Sequence, residues 1–259
     1  MKRYADLAVI VAAGWLAAAS VRADGPREIR KVVPLDADGS LSVETYKGSI
    51  TVTTAPGGEA SIEAKIVPDG DDEASLRRAA ETNVKIEGGG KSVSVTTVDS
   101  GARHKGWFGS DDGSQPMVHY TIRMPATAHL RIEDYKSTTR VSGLASDLRI
   151  KTYKGSVDVV RQNGGVELET YKGEISIAFE ALTKPVTLET YKGDIQLRIP
   201  ASAQFEVDAD TGRRGDFATE FEMTTRTGGS RGGAHGIVNG GGPRVSFETD
   251  KGSLRLVKE

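Results

Sequence analysis

A tyrosine followed by a lysine recurs in one setting along this chain, as Tyr46-Lys47, Tyr135-Lys136, Tyr153-Lys154, Tyr171-Lys172 and Tyr191-Lys192. A threonine or aspartate precedes each pair and a glycine follows it, except at Ser137, and Asp250-Lys251-Gly252 is a sixth copy without the ring. An aromatic ring offers apolar contact and a phenol, and an ammonium offers charge, so a row of such pairs can hold a sugar polymer or an anionic surface. The competing reading is structural. Rings can stack over a chain corner and shield its backbone, while Glu44, Glu169 and Glu189 offset the lysines.

Other reactive residues lack the company that chemistry needs. His104, His119, His129 and His235 have no metal-ligand spacing. Asp208-x-Asp210 and Asp111-Asp112 lack the glycine-aspartate nonapeptide of calcium-bound rolls. Gly90-Lys91-Ser92 ends like a phosphate loop, but Lys85 stands where its first glycine is required. The serines form no nucleophile elbow. Glu167, Glu169 and Glu189 would project outward, and carboxylates that repeat from coil to coil look like a solvated face, which argues against a polysaccharide-cleaving enzyme. The expectation is a protein without catalytic residues, metal or cofactor, whose candidate binding residues are the ten of the Tyr-Lys pairs.

The elements that would position these pairs follow from their spacing. Tyr135 to Tyr153 is 18 residues, Tyr153 to Tyr171 is 18, and Tyr171 to Tyr191 is 20, and a near-fixed period of this size marks a stacked repeat. Each unit carries two alternating apolar runs, such as Val166-x-Leu168-x-Thr170 before the corner and Ile175-x-Ile177-x-Phe179 after it, which is strand periodicity. Closed by the three-residue loop Tyr171-Lys172-Gly173, a hairpin would send the two apolar sets to opposite faces. A two-residue loop would need positive φ at Lys172. Coils avoid both problems, because the two runs then lie on facing sheets with their apolar residues inward and the glycine takes positive φ at the corner. The expected fold is all-β, a right-handed parallel β-solenoid or β-roll of 18–20-residue coils with a short flanking helix. The alternative is a β-sandwich or meander. Coils would place equivalent residues about 4.8 Å apart along the axis, so Tyr153, Tyr171 and Tyr191 should stack.

Around these repeats the chain is less regular. Residues 41–53 read as a first coil, 61–67 as a strand, 71–82 as a short helix, and 84–87 with 92–98 as a hairpin about Gly88-Gly89-Gly90. Residues 100–115 form a polar loop carrying His104, Trp107 and Phe108, and 117–124 a strand. Thr211 to Phe217 looks like a corner without its Tyr-Lys pair, 225–242 reads as a loop, and 244–257 as a closing copy.

The motifs Pro125-x-x-x-x-Leu130-x-Ile132, the iterated Thr-x-x-Gly-Ser/Asp/Glu-Ile/Val corners, Pro200-x-x-x-x-Phe205-x-Val207-x-Ala209-x-Thr211-Gly212, and a glycine-rich loop before Val245 to Leu254 resemble the bacterial "putative adhesin" family, a domain of unknown function with β-strand repeats. The resemblance spans roughly residues 40–257. It implies an exported envelope β-solenoid and brings no catalytic residues with it. This chain departs in placing Tyr-Lys at corners where the family more often has Ser or Thr.

Lys2-Arg3, the apolar stretch Leu7 to Ala19 and Val21-Arg22-Ala23 read as a secretory leader cut after Ala23. The expected mature protein is one domain over residues 24–259, without a transmembrane segment, in the periplasm or outside the cell. With no cysteine, its stability must come from packing and sheet hydrogen bonds. The formal net charge of −2 becomes −4 when Lys2, Arg3, Arg22 and Asp6 are removed, which makes nucleic acid a poor partner. The expected partners are a cell-surface glycan, an envelope protein, or further copies of the chain stacked through terminal strands such as 245–257.

Overall fold

The computed structural model describes residues 26–98, 115–212, 214–225 and 233–259. The leader, the Asp111-Asp112 pair and the loop side chains His104, Trp107 and Phe108 lie outside the described residues.

In chain order the elements are β1 (Arg27–Thr54), β2 (Glu59–Val67), α1 (Glu73–Glu81), β3 (Asn83–Val98), β4 (Met117–Met124), β5 (His129–Ser142), β6 (Leu148–Thr152), β7 (Ser156–Gln162), β8 (Val166–Phe179), β9 (Val186–Ile199), β10 (Phe205–Asp210), β11 (Asp216–Thr219), β12 (Thr224–Thr225), β13 (Gly233–Val238), β14 (Arg244–Thr249) and β15 (Ser253–Lys258). The protein is all-β apart from α1, and the strands join in one sheet. β1, β5, β8 and β9 run through the Tyr-Lys corner unbroken, whereas β6/β7 and β14/β15 are interrupted there.

The repeats pair in parallel, which rules out the meander. Before the corner, one ladder joins Leu41, Leu130, Leu148, Val166, Val186, Val245 and Val207. After it, another joins Ile50, Thr139, Val157, Ile175, Ile195, Leu254 and Phe217. All but Phe217 are buried. Burying a Leu or Ile side chain stabilises by roughly 1.5–3 kcal/mol, so these files supply much of the driving force for stacking.

Coil order departs from chain order. The C-terminal copy, β14/β15, lies between β9 and the β10/β11 pair and does not end the stack. Strands 245–257 are therefore interior, and the expectation that they form an open assembly edge is wrong. At the other end, residues 92–96 of β3 and 118–124 of β4 pair in parallel with β1. Together the two strands extend the stack on the other side of β1 from β5.

Two further expectations are corrected. Residues 83–98 form the single strand β3, not a hairpin. Gly88 and Gly90 adopt φ of 88° and 61°, bending the strand without reversing it. His235 lies in strand β13, paired antiparallel with β10, not in a loop.

Both ends are covered by antiparallel strands. Residues 27–34 of β1 pair with β2, β2 pairs with β4, and β4 returns to residues 48–54 of β1, so this end closes on itself. At the far end β13 covers β10 and β12 covers part of β13. Such covering satisfies backbone groups that an open edge would present to another chain. α1 begins at Asp72, whose carboxylate accepts from the Ser75 N–H at 3.0 Å and the Ser75 hydroxyl at 2.6 Å. It buries Ser75 and Ala79 but leaves Leu76 exposed, and so flanks the sheet.

Candidate binding surface

Each corner begins with a buried polar residue. Thr45, Asp134, Thr152, Thr170, Thr190 and Thr249 form one file across six coils. The Thr249 hydroxyl accepts from the Gly252 N–H at 2.8 Å, and Asp134 Oδ1 accepts from the Ser137 N–H at 2.8 Å, a side-chain bond that folds the corner. Asp134 Oδ1 also accepts from the Thr152 hydroxyl at 3.0 Å, whereas Oδ2 has no partner. Burial pushes this carboxyl up to about 6.

The corner glycines have a different reason from the expected one. Gly48 alone among Gly48, Gly155, Gly173, Gly193 and Gly252 has positive φ, at 136°. A Cβ at Gly173 would lie 1.8 Å from the Gly155 carbonyl oxygen, and one at Gly252 would lie 1.9 Å from that of Gly193. Close approach between coils excludes the side chain. Backbone bonds hold the same approach, from the Lys154 N–H to the Tyr135 carbonyl at 2.8 Å and from the Lys172 N–H to that of Tyr153 at 3.0 Å.

This register stacks five rings. Tyr46, Tyr135, Tyr153, Tyr171 and Tyr191 follow one another at centroid separations of 4.7, 4.9, 4.8 and 5.0 Å, with interplanar angles of 5° to 18°. The expected stack of three is thus extended by Tyr46 and Tyr135. One consequence runs against the sugar-platform reading: Tyr135, Tyr153 and Tyr171 have a neighbouring ring against each face. Lys251 Nζ lies 4.9 Å from the Tyr191 centroid and 3.0 Å from its hydroxyl. The tyrosines therefore offer edges and hydroxyls outward, not faces.

The lysines of the pairs follow the same register: Lys47 beside Lys136, Lys154 bonded to the corner of Tyr135, and Lys172 beside Lys192. Lys47 pairs with Asp69 at 2.5 Å. Lys154 Nζ lies 5.0 Å from the Tyr153 centroid and 5.9 Å from that of Tyr135. Lys136, Lys154, Lys172 and Lys192 have no carboxylate partner among the described residues. Ammonium groups held about 4.8 Å apart repel by roughly 0.9 kcal/mol in water, a tolerable but unrelieved cost.

Two grooves run along the corner. One, of about 500 Å³, is lined by Lys47, Lys136, Lys154 and Lys172 together with Ser137, Thr138, Ser156 and Glu174. The other, of about 560 Å³, has Tyr153, Tyr171 and Tyr191 along one wall and Glu169, Glu189, Glu248 and Asp210 nearby. These four acids are consecutive in register. Across the corner the surface runs from cations through phenols to carboxylates. The sequence reading singled out Glu169 and Glu189 but did not place Glu248 and Asp210 in the same row, because the pairing of Glu248 with Glu189 and of Asp210 with Glu248 depends on the coil order.

The histidines are placed apart. His119 Nδ1 lies 2.8 Å from Ser49 Oγ, His129 Nδ1 lies 2.9 Å from Ser146 Oγ, and His235 Nδ1 lies 2.9 Å from Asp208 Oδ1. Among the described residues no group of three or more His, Asp or Glu could hold a metal ion. No helix among them is long and apolar enough to cross a membrane.

Parallel coils around one apolar interior, with a laddered polar corner, define a class of stacked-repeat β proteins. Residues 126–256, half of the chain, match the Toastrack DUF4097 family, and the protein belongs to it. A "putative cell adhesion protein" from Clostridium sporogenes ATCC 15579 shares the fold, with a TM-score of 0.54 at 12% identity over 91% of this chain and 100% of that one. A "putative adhesin" from Bacteroides fragilis NCTC 9343 gives a TM-score of 0.31 at 11% identity over 89% and 97% of the two chains. A "putative lipid binding protein" from Parabacteroides distasonis ATCC 8503 gives 0.29 at 9% identity over 89% and 97%. No curated protein matches the sequence.

Proposed function

We propose that the protein is an exported, non-enzymatic binding module that engages an extended surface polymer or an envelope partner along its Tyr-Lys corner. The mature chain is a single domain over residues 24–259, wound right-handed, the usual hand of parallel crossovers. The observation that carries the reading is the register of five tyrosines and their lysines on one outward edge beside open grooves. A structure buried on all sides would have no use for such a periodic polar line, whereas a polymer meets it unit by unit. The adhesion wording attached to a protein of the same fold agrees with this reading. End-to-end assembly is less favoured, because antiparallel strands cover both ends of the stack.

The test is binding of the purified full-length protein to isolated envelope fractions and to glycans, compared with the variant Tyr153→Ala/Tyr171→Ala/Tyr191→Ala. Circular dichroism establishes that both are folded. Tyr171 and Tyr191 are 42% and 41% exposed, so the interior survives their truncation. Loss of binding by a folded variant is the expected result. Unchanged binding makes the ring stack a structural device and removes the basis of the proposal.

A further inference from the structure

Resting on the reading above, we infer that the ligand is a narrow linear polyanion, an acidic glycan with about one carboxylate, sulfate or phosphate per sugar, held in the lysine groove. Three observations converge. Lys136, Lys154 and Lys172 stand on consecutive coils without carboxylate partners and line one groove of about 500 Å³. Their like charges are left for something else to neutralise, and anions placed at the coil repeat would do so one for one. The hydroxyl side chains of Thr138 and Ser156 lie in the same groove and can donate to the anions or to sugar oxygens. Ser137 lines it too, 4% exposed and with its Oγ unpartnered, at the one corner where a side chain replaces glycine.

Charge pattern limits the ligand's length and width. Lys47, already paired with Asp69, closes one end of the free cations, and Glu174 stands in the groove on the same coil as Lys172. The basic stretch within the groove, Lys136 to Lys172, spans three coils, about 10 Å at the parallel repeat, and Lys192 continues the row on the next coil. The carboxylates Glu169, Glu189 and Glu248 lie across the tyrosine row. They repel a broad anionic body such as a duplex or a membrane surface, while a single chain in the groove lies beyond their contact. The rings contribute rigidity, because their mutual stacking fixes the corner on which the lysines are mounted.

The experiment uses polygalacturonate as probe, a linear polymer with one carboxylate per sugar, and its fully methyl-esterified form, which keeps the backbone and removes the charge. The expected results are binding to the acid and not to the ester, weakening as salt rises with a slope near −2 for three lysines on a single strand of charge, and a loss of about a hundredfold in Lys136→Gln/Lys154→Gln/Lys172→Gln. Glu169→Gln/Glu189→Gln, across the ring row, should bind no more weakly than wild type. These exposed substitutions leave the interior untouched, and an unchanged melting temperature verifies it. Equal binding of acid and ester, or full affinity in the lysine variant, overturns the inference. So does a tenfold preference for duplex DNA or anionic vesicles over the polymer. Binding to envelope fractions without binding to polygalacturonate overturns the inference and leaves the broader reading standing. Binding to neither overturns both.

Discussion

Asp134 is the single carboxylate in a buried file of threonines, 2% exposed and with one oxygen unpartnered. Burial raises its pKa from 3.8 to about 6, so between those values the folded protein binds its proton more tightly than the unfolded chain does. Stability from this group is greatest below about pH 4 and falls as pH rises through 6, by on the order of 3 kcal/mol in total. Asp134→Thr, which restores the file and can accept the corner N–H as Thr249 does, should flatten that dependence and raise the melting temperature at pH 7.5. Parallel melting profiles of wild type and variant between pH 4.5 and 7.5 would show that the carboxyl does not titrate differently on folding. Gly173 makes the opposite point about size. A Cβ there meets the Gly155 backbone carbonyl at 1.8 Å, so Gly173→Ala should destabilise by about 3 kcal/mol or more in chemical denaturation. A neutral result would mean that neighbouring coils can part at the corner.

At the scale of the element, the ring stack should show end effects. Tyr153 has a ring on either side, Tyr135 and Tyr171, whereas Tyr191 has a ring on one side only. An aromatic pair contributes roughly 0.5–1.5 kcal/mol beyond its area. In a Lys251→Ala background, which removes the ammonium over Tyr191 and its hydrogen bond, Tyr153→Leu should therefore cost about twice what Tyr191→Leu costs, and equal losses in melting experiments would mean that stacking contributes little. The stack was read from the sequence for Tyr153, Tyr171 and Tyr191, because a fixed spacing and matched parity leave parallel coils as the simplest solution; Tyr135, 18 residues before Tyr153, shares the period but was not included. The place of Tyr46 was not legible, since 89 residues separate it from Tyr135 and only the pairing of β1 with β5 brings them together. The β3/β4 coil was hidden for the same reason: residues 99–116 separate its two runs and break the period, and the glycines of residues 88–90 imitate a turn. The glycines of the repeats were assigned to the right positions for the wrong reason, because sequence reports that a side chain is missing but not what would have struck it.

For the whole molecule, the order of coils is the feature that sequence concealed most completely. Motif similarity identifies 244–257 as a coil, yet nothing in a one-dimensional repeat says that the last copy stacks ahead of the irregular one before it. Deleting residues 243–259 should consequently do more than trim an end. It should strip the parallel partners from β9, β10 and β11 at once, leaving residues 200–242 open to limited proteolysis while the coils of β1 to β9 stay protected. Protection of 200–242 in that truncation would mean that β10 can dock on β9 directly. The same arrangement constrains how the chain reaches its native state. A polypeptide delivered from its N-terminus cannot zip the coils together in the order in which they emerge, because the piece that joins the two parts follows both of them. Until then the β9 edge stands exposed, and the segment that follows it has nothing to rest on. Completion thus waits on residues 244–258, and any agent that detains them holds the β10/β11 segment apart from β9.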